Sequence, residues 1–579
     1  MQTEGAASSI HVARRLDAVL DWLSQSHLRA SLALLVLSLV CLLPGFASLP
    51  VTNRDESRYA QPAKQMVETG DYIDIRLQEW PRYRKPIGIY WLQASAVRAA
   101  EAVGFDDARN RIAFYRLPSL LAAIGSVLLV YWAALVFVSR RYAMLAGVAL
   151  ATSILFGVEA RIATIDASLL LTAVAAQGSL ARAYLARPAD ASPRNEWVLA
   201  AIFWTGIAGS ILLKGPIVPA IVILSTASLC IADRNWRWLL RLKPAAGVVW
   251  ASLLVMPWFV AIGLRSDDFF QQSVGRDLLD RLLDATQGHW GPPGYFWLLF
   301  WVCFWPAGAL APMASAFAWA HRRERELKSL IAWIVPGWLM FEVVVTKLPH
   351  YVLPLYPGIA VLIALSLERK APPDRWTRGT TFLWPVFAIV LCVAVAVLAI
   401  MFEGSFAFVY LPAAAFAIVL SAVAWRKLLF GQVEGALIFA LIAGTATAIA
   451  VYAVLPRIQG LAVAARLVAA AETAPCPTPM LAAAGYDEPN LTFLGGTRIK
   501  MLEQTKRGAL RGISGATAAE FLRLGGCRVA FIEAAQQRSF ADRAAAIGLS
   551  TARLSTVEGF DYSNWRWVSF LVLMPREGG

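Results

Sequence analysis

The stretch VTNRDESRYAQPAKQMVETGDYIDIRLQEWPRYRKPIGIYW, residues 51–91, follows directly on the apolar run LALLVLSLVCLLPGFASLP at 32–50. The apolar run is long enough to cross about 30 Å of hydrocarbon as a helix. The stretch behind it is crowded with charged side chains, which are costly inside a bilayer, although carboxylates near a membrane surface are usually just solvated. The junction therefore predicts a first membrane span that emerges into a charged outer loop.

The composition places most of the chain in lipid. Of the 579 residues, 58% are hydrophobic and only 16% are charged, and the mean hydropathy is +0.56. Numerous spans in lipid must be helices, because a helix satisfies its own backbone hydrogen bonds. The sequence predicts an α-helical polytopic membrane protein with about thirteen spans of roughly 20 residues. The predicted spans are 30–50, 113–138, 142–158, 168–186, 197–213, 216–232, 245–264, 293–319, 329–346, 351–367, 380–402, 405–425 and 434–455.

The formal charge of +14 could suggest nucleic acid in a soluble protein, but its placement indicates a membrane protein instead. Compact basic clusters, such as Arg322, Arg323, Arg325 and Lys328, fall between the predicted spans. Under the positive-inside rule these clusters are cytoplasmic. We therefore expect a cytoplasmic segment 1–29, a transmembrane domain 30–455 and a periplasmic segment 456–579, with no nucleic-acid partner.

Three predicted outer regions, 51–112, 265–292 and 456–579, are too long to be simple connectors. Short β-rich apolar runs separated by helices predict a small α/β domain in the last of them. Cys476 and Cys527 lie in that domain, and an oxidising compartment favours a disulfide between them. We expect the first loop to be catalytic, the second to bind substrate, and the C-terminal domain to select the acceptor.

Ordered motifs extend well beyond the opening stretch. The chain carries DESRYA (55–60), MVETGDYI (66–73), RYRKPIGIYWL (82–92), EARIATIDASL (159–169), LLKGPIVP (212–219), GHWGPPGYF (288–296) and TKLPHYVLPLYP (346–357). This set resembles the GT-C-fold glycosyltransferases of the protein mannosyltransferase and aminoarabinose-transferase-like (ArnT-like) group, over roughly residues 30–370. The run GYDEPNLTFLGGT (485–497) resembles the periplasmic domain of bacterial members. The resemblance implies a GT-C fold and a sugar donor carried on polyprenyl phosphate.

The resemblance assigns roles in the first loop and in the 346–357 motif. Arg58 and Lys85 are expected to bind the carrier phosphate, because leaving-group stabilisation needs fixed cations, and Tyr351 to lie beside the head group. Asp55 is expected to act as general base on the acceptor nucleophile, with inversion at the anomeric carbon. On the residues alone, Asp55 could instead be a helix N-cap, and the two cations could be ordinary surface charges.

The resemblance also implicates residues outside the DESRY and RKP segments. Asp166 matches a second acidic position of the family, although it could equally cap its helix or pair with Arg161. Glu56, His289 and Lys347 are expected to contact substrate, and a loop histidine that bonds backbone is the alternative for His289.

One departure from the family concerns metal binding. Arg84 precedes Lys85 where the family has an acidic residue, and Ile87 replaces a second proline. In aminoarabinose transferases that acid can help a histidine to hold a metal. The resemblance thus implies no certain cofactor, Arg84 argues against a divalent metal at this position, and the donor sugar stays open.

These observations predict an inverting glycosyltransferase of the bacterial inner membrane. Its donor would be a sugar on undecaprenyl or a similar polyprenyl phosphate, and its acceptor lipid A, lipopolysaccharide or another glycolipid. A protein O-mannosyltransferase is the alternative within this class. A lipid-linked substrate transporter is the alternative from another class, since it too would have many spans and buried charges; a noncatalytic scaffold is a third.

Overall fold

The computed structural model describes residues 17–187, 192–266, 269, 271, 291–502 and 514–576. Within these ranges the chain is mainly helical. The helices are α1 (Asp17–Ser24), α2 (His27–Leu42), α3 (Ser57–Thr69), α4 (Gly88–Ala102), α5 (Ile112–Ala134), α6 (Arg140–Ala151), α7 (Ile154–Glu159), α8 (Asp166–Leu185), α9 (Pro193–Lys214), α10 (Ile217–Asp233), α11 (Pro244–Arg265), α12 (Tyr295–Cys303), α13 (Ala311–Ala320), α14 (Arg325–Val343), α15 (Tyr356–Glu368), α16 (Arg375–Thr380), α17 (Leu383–Met401), α18 (Tyr410–Leu429), α19 (Val433–Val454), α20 (Val463–Ala471), α21 (Pro489–Gly495), α22 (Ser514–Arg523) and α23 (Gln537–Ala546).

The described residues contain seven helical segments long and apolar enough to cross a membrane, and two bent helix pairs that could each form one more span. The predicted spans 245–264 and 434–455 coincide closely with α11 and α19. Other predicted spans are irregular: 142–158 is broken into α6 and α7. A polytopic helical membrane protein is thus confirmed, whereas the number of thirteen spans stays a prediction.

The loop behind the first span has its own secondary structure. Helix α2 ends at Leu42, earlier than predicted, and α3 begins directly after Glu56. Helix α3 ends at Thr69, and the next residue, Gly70, caps it with a φ of 75° that suits glycine. A short hairpin of β1 (Arg76–Leu77) and β2 (Trp80–Pro81) connects α3 to α4. The opening stretch therefore folds into a lobe whose helix α4 packs against α5.

This lobe packs against the transmembrane helices at α4. A Cβ added to Gly88, at the start of α4, would lie 2.7 Å from the carbonyl oxygen of Leu212 in α9. Only glycine allows so close an approach of the two backbones. Gly88 comes three residues after Lys85, so this contact fixes the position of the RKP segment relative to α9.

The C-terminal segment forms a small α/β domain, as predicted. Its sheet has the order β4-β3-β5-β7-β6, in which β3 runs parallel to β4 and β5 while β7 runs antiparallel to β5 and β6. The strands are β3 (Met480–Ala484), β4 (Lys500–Met501), β5 (Arg528–Glu533), β6 (Thr551–Asp561) and β7 (Arg566–Pro575). The predicted disulfide between Cys476 and Cys527 is present, and it links the chain just before β3 to the start of β5.

Candidate active site

The start of α3 is anchored by a buried ion pair. The carboxylate of Glu56 accepts hydrogen bonds from the Nε and Nη2 atoms of Arg116, at 2.6 and 2.9 Å, and both side chains are fully buried. It also accepts from the backbone N–H groups of Thr52 and Ala163. These contacts favour a role for Glu56 in holding the loop; its predicted contact with substrate stays a prediction.

Asp55 is exposed to solvent beside this anchor. The N-cap position of α3 is Glu56 and not Asp55, so the alternative of an N-cap role for Asp55 is wrong. The carboxylate of Asp55 interacts electrostatically with Arg58, Tyr59 and Glu159. Asp55 is thus an accessible acid surrounded by groups from two separate motifs.

Basic residues of the first loop gather next to Asp55. The guanidinium of Arg58 is partly buried, and burial, with repulsion from Arg82 and Arg84, lowers its pKa. Arg82 donates a hydrogen bond to the backbone carbonyl of Arg58. Lys85 lies close enough to attract the carboxylate of Asp166. Arg82 and Arg84 therefore lie close to Arg58, and Lys85 lies towards Asp166. This concentration of positive charge is what an anionic phosphate requires.

Asp166 begins α8 and forms an ion pair with Lys214 at the end of α9. The distance from Lys214 Nζ to Asp166 Oδ1 is 2.5 Å, and less than a tenth of either side chain is exposed. The predicted alternative, a pair with Arg161, is wrong. Arg161 instead donates to backbone carbonyls such as that of Pro44 and stacks on the ring of Tyr452.

His350 connects Asp166 to a further acid. Its Nδ1 atom lies 3.7 Å from Oε1 of Glu159, and its Nε2 atom lies 3.8 Å from Oδ2 of Asp166. Ligand atoms of these three residues all lie within 4.8 Å of one another. Two carboxylates and an imidazole are donors that Zn²⁺ or Mn²⁺ accepts. The ammonium of Lys214 already bonds Asp166, so a divalent ion would compete with an existing cation there.

Tyr351 and Lys347 have different neighbours. The Nζ atom of Lys214 is 5.4 Å from the ring centre of Tyr351, so Tyr351 reaches the cluster around Asp166. The Nζ atom of Lys347 is instead buried against the end of α14, where it donates to the carbonyls of Glu342 and Val344. Substrate binding by Lys347 stays a prediction. His289 lies outside the described residues.

The arrangement brings together five of the eight residues that the sequence singled out: Asp55, Arg58, Lys85, Asp166 and Tyr351. It adds Lys214, Glu159 and His350, which the prediction of the site did not include. All three occur in the quoted motifs, and an ionisable residue at the end of a span was the signal that could have found them.

Residues 52–270 match the family model described as dolichyl-phosphate-mannose-protein mannosyltransferase. The undecaprenyl phosphate-alpha-4-amino-4-deoxy-L-arabinose arabinosyl transferase of Pectobacterium carotovorum is 29% identical over 378 residues, which are 64% of this chain and 65% of the relative. The enzyme of the same name from Aeromonas salmonicida is 30% identical over 61% of this chain and 62% of its own. The chain thus spans slightly less than two thirds of these relatives.

The solved structure of ArnT from Cupriavidus metallidurans bound to undecaprenyl phosphate superposes with a TM-score of 0.72 at 20% identity. The match covers 93% of this chain and 97% of ArnT. The chain has the ArnT fold. Its resemblance to the ArnT-like group, predicted from the sequence motifs, is confirmed by these similarities.

Proposed function

We propose that this chain transfers a sugar from a polyprenyl phosphate carrier to lipid A, lipopolysaccharide or another envelope glycolipid. The single observation that carries the proposal is the site, where an exposed Asp55 lies beside Arg58, next to which Arg82 and Arg84 also lie, and where Lys85 lies near Asp166. The names of the relatives and the fold shared with an ArnT bound to undecaprenyl phosphate support the same class of donor.

In this mechanism the basic cluster binds the carrier phosphate and Asp55 faces the acceptor. The acceptor oxygen attacks the anomeric carbon from the side opposite the phosphate, which inverts its configuration. The bond from that carbon to the phosphate oxygen breaks, and its electron pair leaves with the phosphate, where Arg58 and Lys85 stabilise the charge. When the acceptor is a hydroxyl, its proton passes to Asp55; an ionised phosphate acceptor has none to give, and Asp55 then orients it.

Asp166 has a second role in this proposal. Its carboxylate is held by Lys214 and attracts Lys85, so it orients the lysine that binds phosphate. Tyr351 packs against the same cluster and would lie beside the carrier head group. These assignments place the carrier phosphate between the first loop and the 346–357 motif.

The proposal includes an orientation in the bacterial inner membrane. The basic clusters between spans favour a cytoplasmic N-terminus. The first loop and the C-terminal domain would then lie in the periplasm, where the disulfide between Cys476 and Cys527 is stable. Cysteine labelling with a membrane-impermeant reagent at position 106 in the loop and position 323 between spans tests this orientation.

A protein O-mannosyltransferase activity is the second candidate. The family model that matches residues 52–270 is named for transfer of mannose to protein from a dolichyl phosphate carrier. Both candidates use the same donor chemistry and differ in the acceptor.

Mass spectrometry of envelope lipids and proteins tests both candidates. The strains compared carry the wild-type gene, a deletion, Asp55→Asn, or Asp106→Asn; Asp106 is an exposed aspartate of the same loop. We expect a sugar mass on a glycolipid in the wild type and in Asp106→Asn but not in the other two strains. A sugar on protein instead selects the second candidate. Identical envelopes in all four strains, with loss of another phenotype only in the deletion, would reject transferase activity and favour transport.

A further inference from the structure

The C-terminal domain binds the residue two positions before Asp55. Asn53 is buried, and its Nδ2 atom donates to Oδ1 of Asp561 at 3.1 Å. Its backbone N–H donates to the hydroxyl of Tyr562 at 2.7 Å, and its Oδ1 accepts from Nδ2 of Asn490 at 2.8 Å. All three of these partners lie more than 400 positions away from Asn53 in the chain.

The same domain binds the residue immediately before Asp55. Arg54 forms a salt bridge of 3.0 Å with Glu488, and it also donates to Oδ1 of Asn564 at 2.7 Å. The side chain of Glu488 is 2% exposed, whereas that of Arg54 is 40% exposed. Burial raises the pKa of Glu488, and the charge of Arg54 opposes this shift. Arg54 therefore stabilises the ionised form of this buried carboxylate.

A second group of contacts fixes helix α3, which follows Asp55. Gln61 donates to the hydroxyl of Thr497 at 2.8 Å, and Lys64 donates to the carbonyl of Phe493 at 2.9 Å. Thr497 in turn donates to Glu68. These partners all fall within residues 493–497 of the C-terminal domain, so the helix that carries Arg58 has anchors of its own.

We propose that the C-terminal domain fixes the catalytic loop, and that Glu488, Asn490 and Asp561 are positioning residues for Asp55. The inference rests on the proposed transferase function. Asp55 lies between Glu56, anchored to the transmembrane helices by Arg116, and Arg54, anchored to the C-terminal domain. Catalytic groups must be held within about 0.5 Å of their working geometry, and a misplacement of about 1 Å can lower a rate by about 100-fold. An exposed loop carboxylate reaches that precision only if both neighbours are fixed.

The test uses the full-length protein in nanodiscs and in cells. Glu488→Gln removes the buried charge. Arg54→Gln removes the same salt bridge by changing its more exposed partner, a substitution that disturbs folding less. Glu520→Gln is the matched control, because Glu520 pairs with Arg543 in the same domain and both are about half exposed. The readouts are hydrogen exchange of amides 52–60, the Kd for undecaprenyl phosphate, and the amount of glycosylated product in envelopes.

We expect amide exchange at 52–60 to rise at least about 10-fold and product to fall about 10- to 100-fold in Glu488→Gln and Arg54→Gln. The Kd should change less than about threefold, because α3 keeps its own anchors. The control should match the wild type in all three readouts. A purely structural role would instead lower product and folded protein together.

Two results would overturn the proposal. One is amide exchange and product within about twofold of the wild type in both variants. The other is loss of product with exchange unchanged, since Glu488 would then act on substrate itself. If the wild type makes no glycosylated product but exchange still rises in the variants, the anchoring stands and the transferase function is rejected.

Discussion

Replacing Glu56 distinguishes a structural role from a role in substrate binding. The Glu56→Gln substitution keeps the shape of the side chain but removes the charge that balances Arg116. Both side chains have no exposed surface, so neither solvent nor salt can compensate. Both carboxylate oxygens accept hydrogen bonds, from Arg116, Thr52 and Ala163. In Gln, an NH₂ group replaces one of these oxygens and cannot accept the bonds made to it.

The magnitude follows from these contacts. Removing one partner of a buried ion pair typically costs about 3–5 kcal/mol, because the other charge stays buried without compensation. Arg116 keeps bonds to the carbonyls of Phe46, Leu49 and Pro50, and these offset part of the loss. We therefore expect the free energy of unfolding to fall by about 3 kcal/mol, near the lower end of that range.

The assay is unfolding of the purified protein in detergent, followed by tryptophan fluorescence, together with binding of undecaprenyl phosphate. Glu101→Gln is the control, because Glu101 pairs with Arg98 and Arg109, two arginines that are 46% and 40% exposed, and should cost at most about 1 kcal/mol. Arg116→Met combined with Glu56→Gln should destabilise less than the two single changes summed. Wild-type stability in Glu56→Gln, with loss of substrate binding alone, would refute this reasoning and support the substrate contact.

Three further predictions concern the site and the C-terminal domain. Lys214→Met should lower transfer about 10- to 100-fold, because Asp166 loses its ammonium partner and no longer orients Lys85, whereas Lys214→Arg should keep part of the activity; product formation measures both. Chelation with EDTA should leave transfer within about twofold of the untreated protein, since Lys214 already bonds Asp166, and loss of transfer that Mn²⁺ or Zn²⁺ restores would instead assign a metal to Glu159, Asp166 and His350. Cys476→Ser should destabilise the C-terminal domain by about 4 kcal/mol, from the loop of 51 residues that the disulfide closes, and Cys230→Ser is the control in thermal unfolding with and without reductant.

Uninterrupted apolar runs predicted the helices best. Hydropathy alone predicted spans such as 245–264, because a helix that faces lipid is apolar on all sides. The run 142–158 gave no sign of its break between α6 and α7, since the break falls at Thr152 and Ser153, two small residues tolerated in a span. Helix α8 likewise coincides with a predicted span, 168–186, whereas its first residue, Asp166, was singled out by resemblance.

The residues of the site were predicted individually, but their partners were not. Asp166 and Lys214 are 48 positions apart, and Glu56 and Arg116 are 60 apart, so local spacing could not pair them. An arginine in the first turns of an apolar helix should have been informative, because Arg116 can only be buried there with a counter-charge. Asn490 lies in the run 485–497 that resembles bacterial family members, but no sequence pattern paired it or Asp561 with Asn53.

The ion pairs distinguish Asp55 from the other acids around the site. Glu56 bonds Arg116, Asp166 bonds Lys214, and Glu488 bonds Arg54. Within the described part of the chain, Asp55 is the one member of these four carboxylates without an ion pair, and it is also the most exposed. The pairs of Glu56 and Glu488 fix the loop on either side of Asp55. Under the proposed function, the buried acids are held by their partners, whereas the exposed Asp55 can be reached by the acceptor.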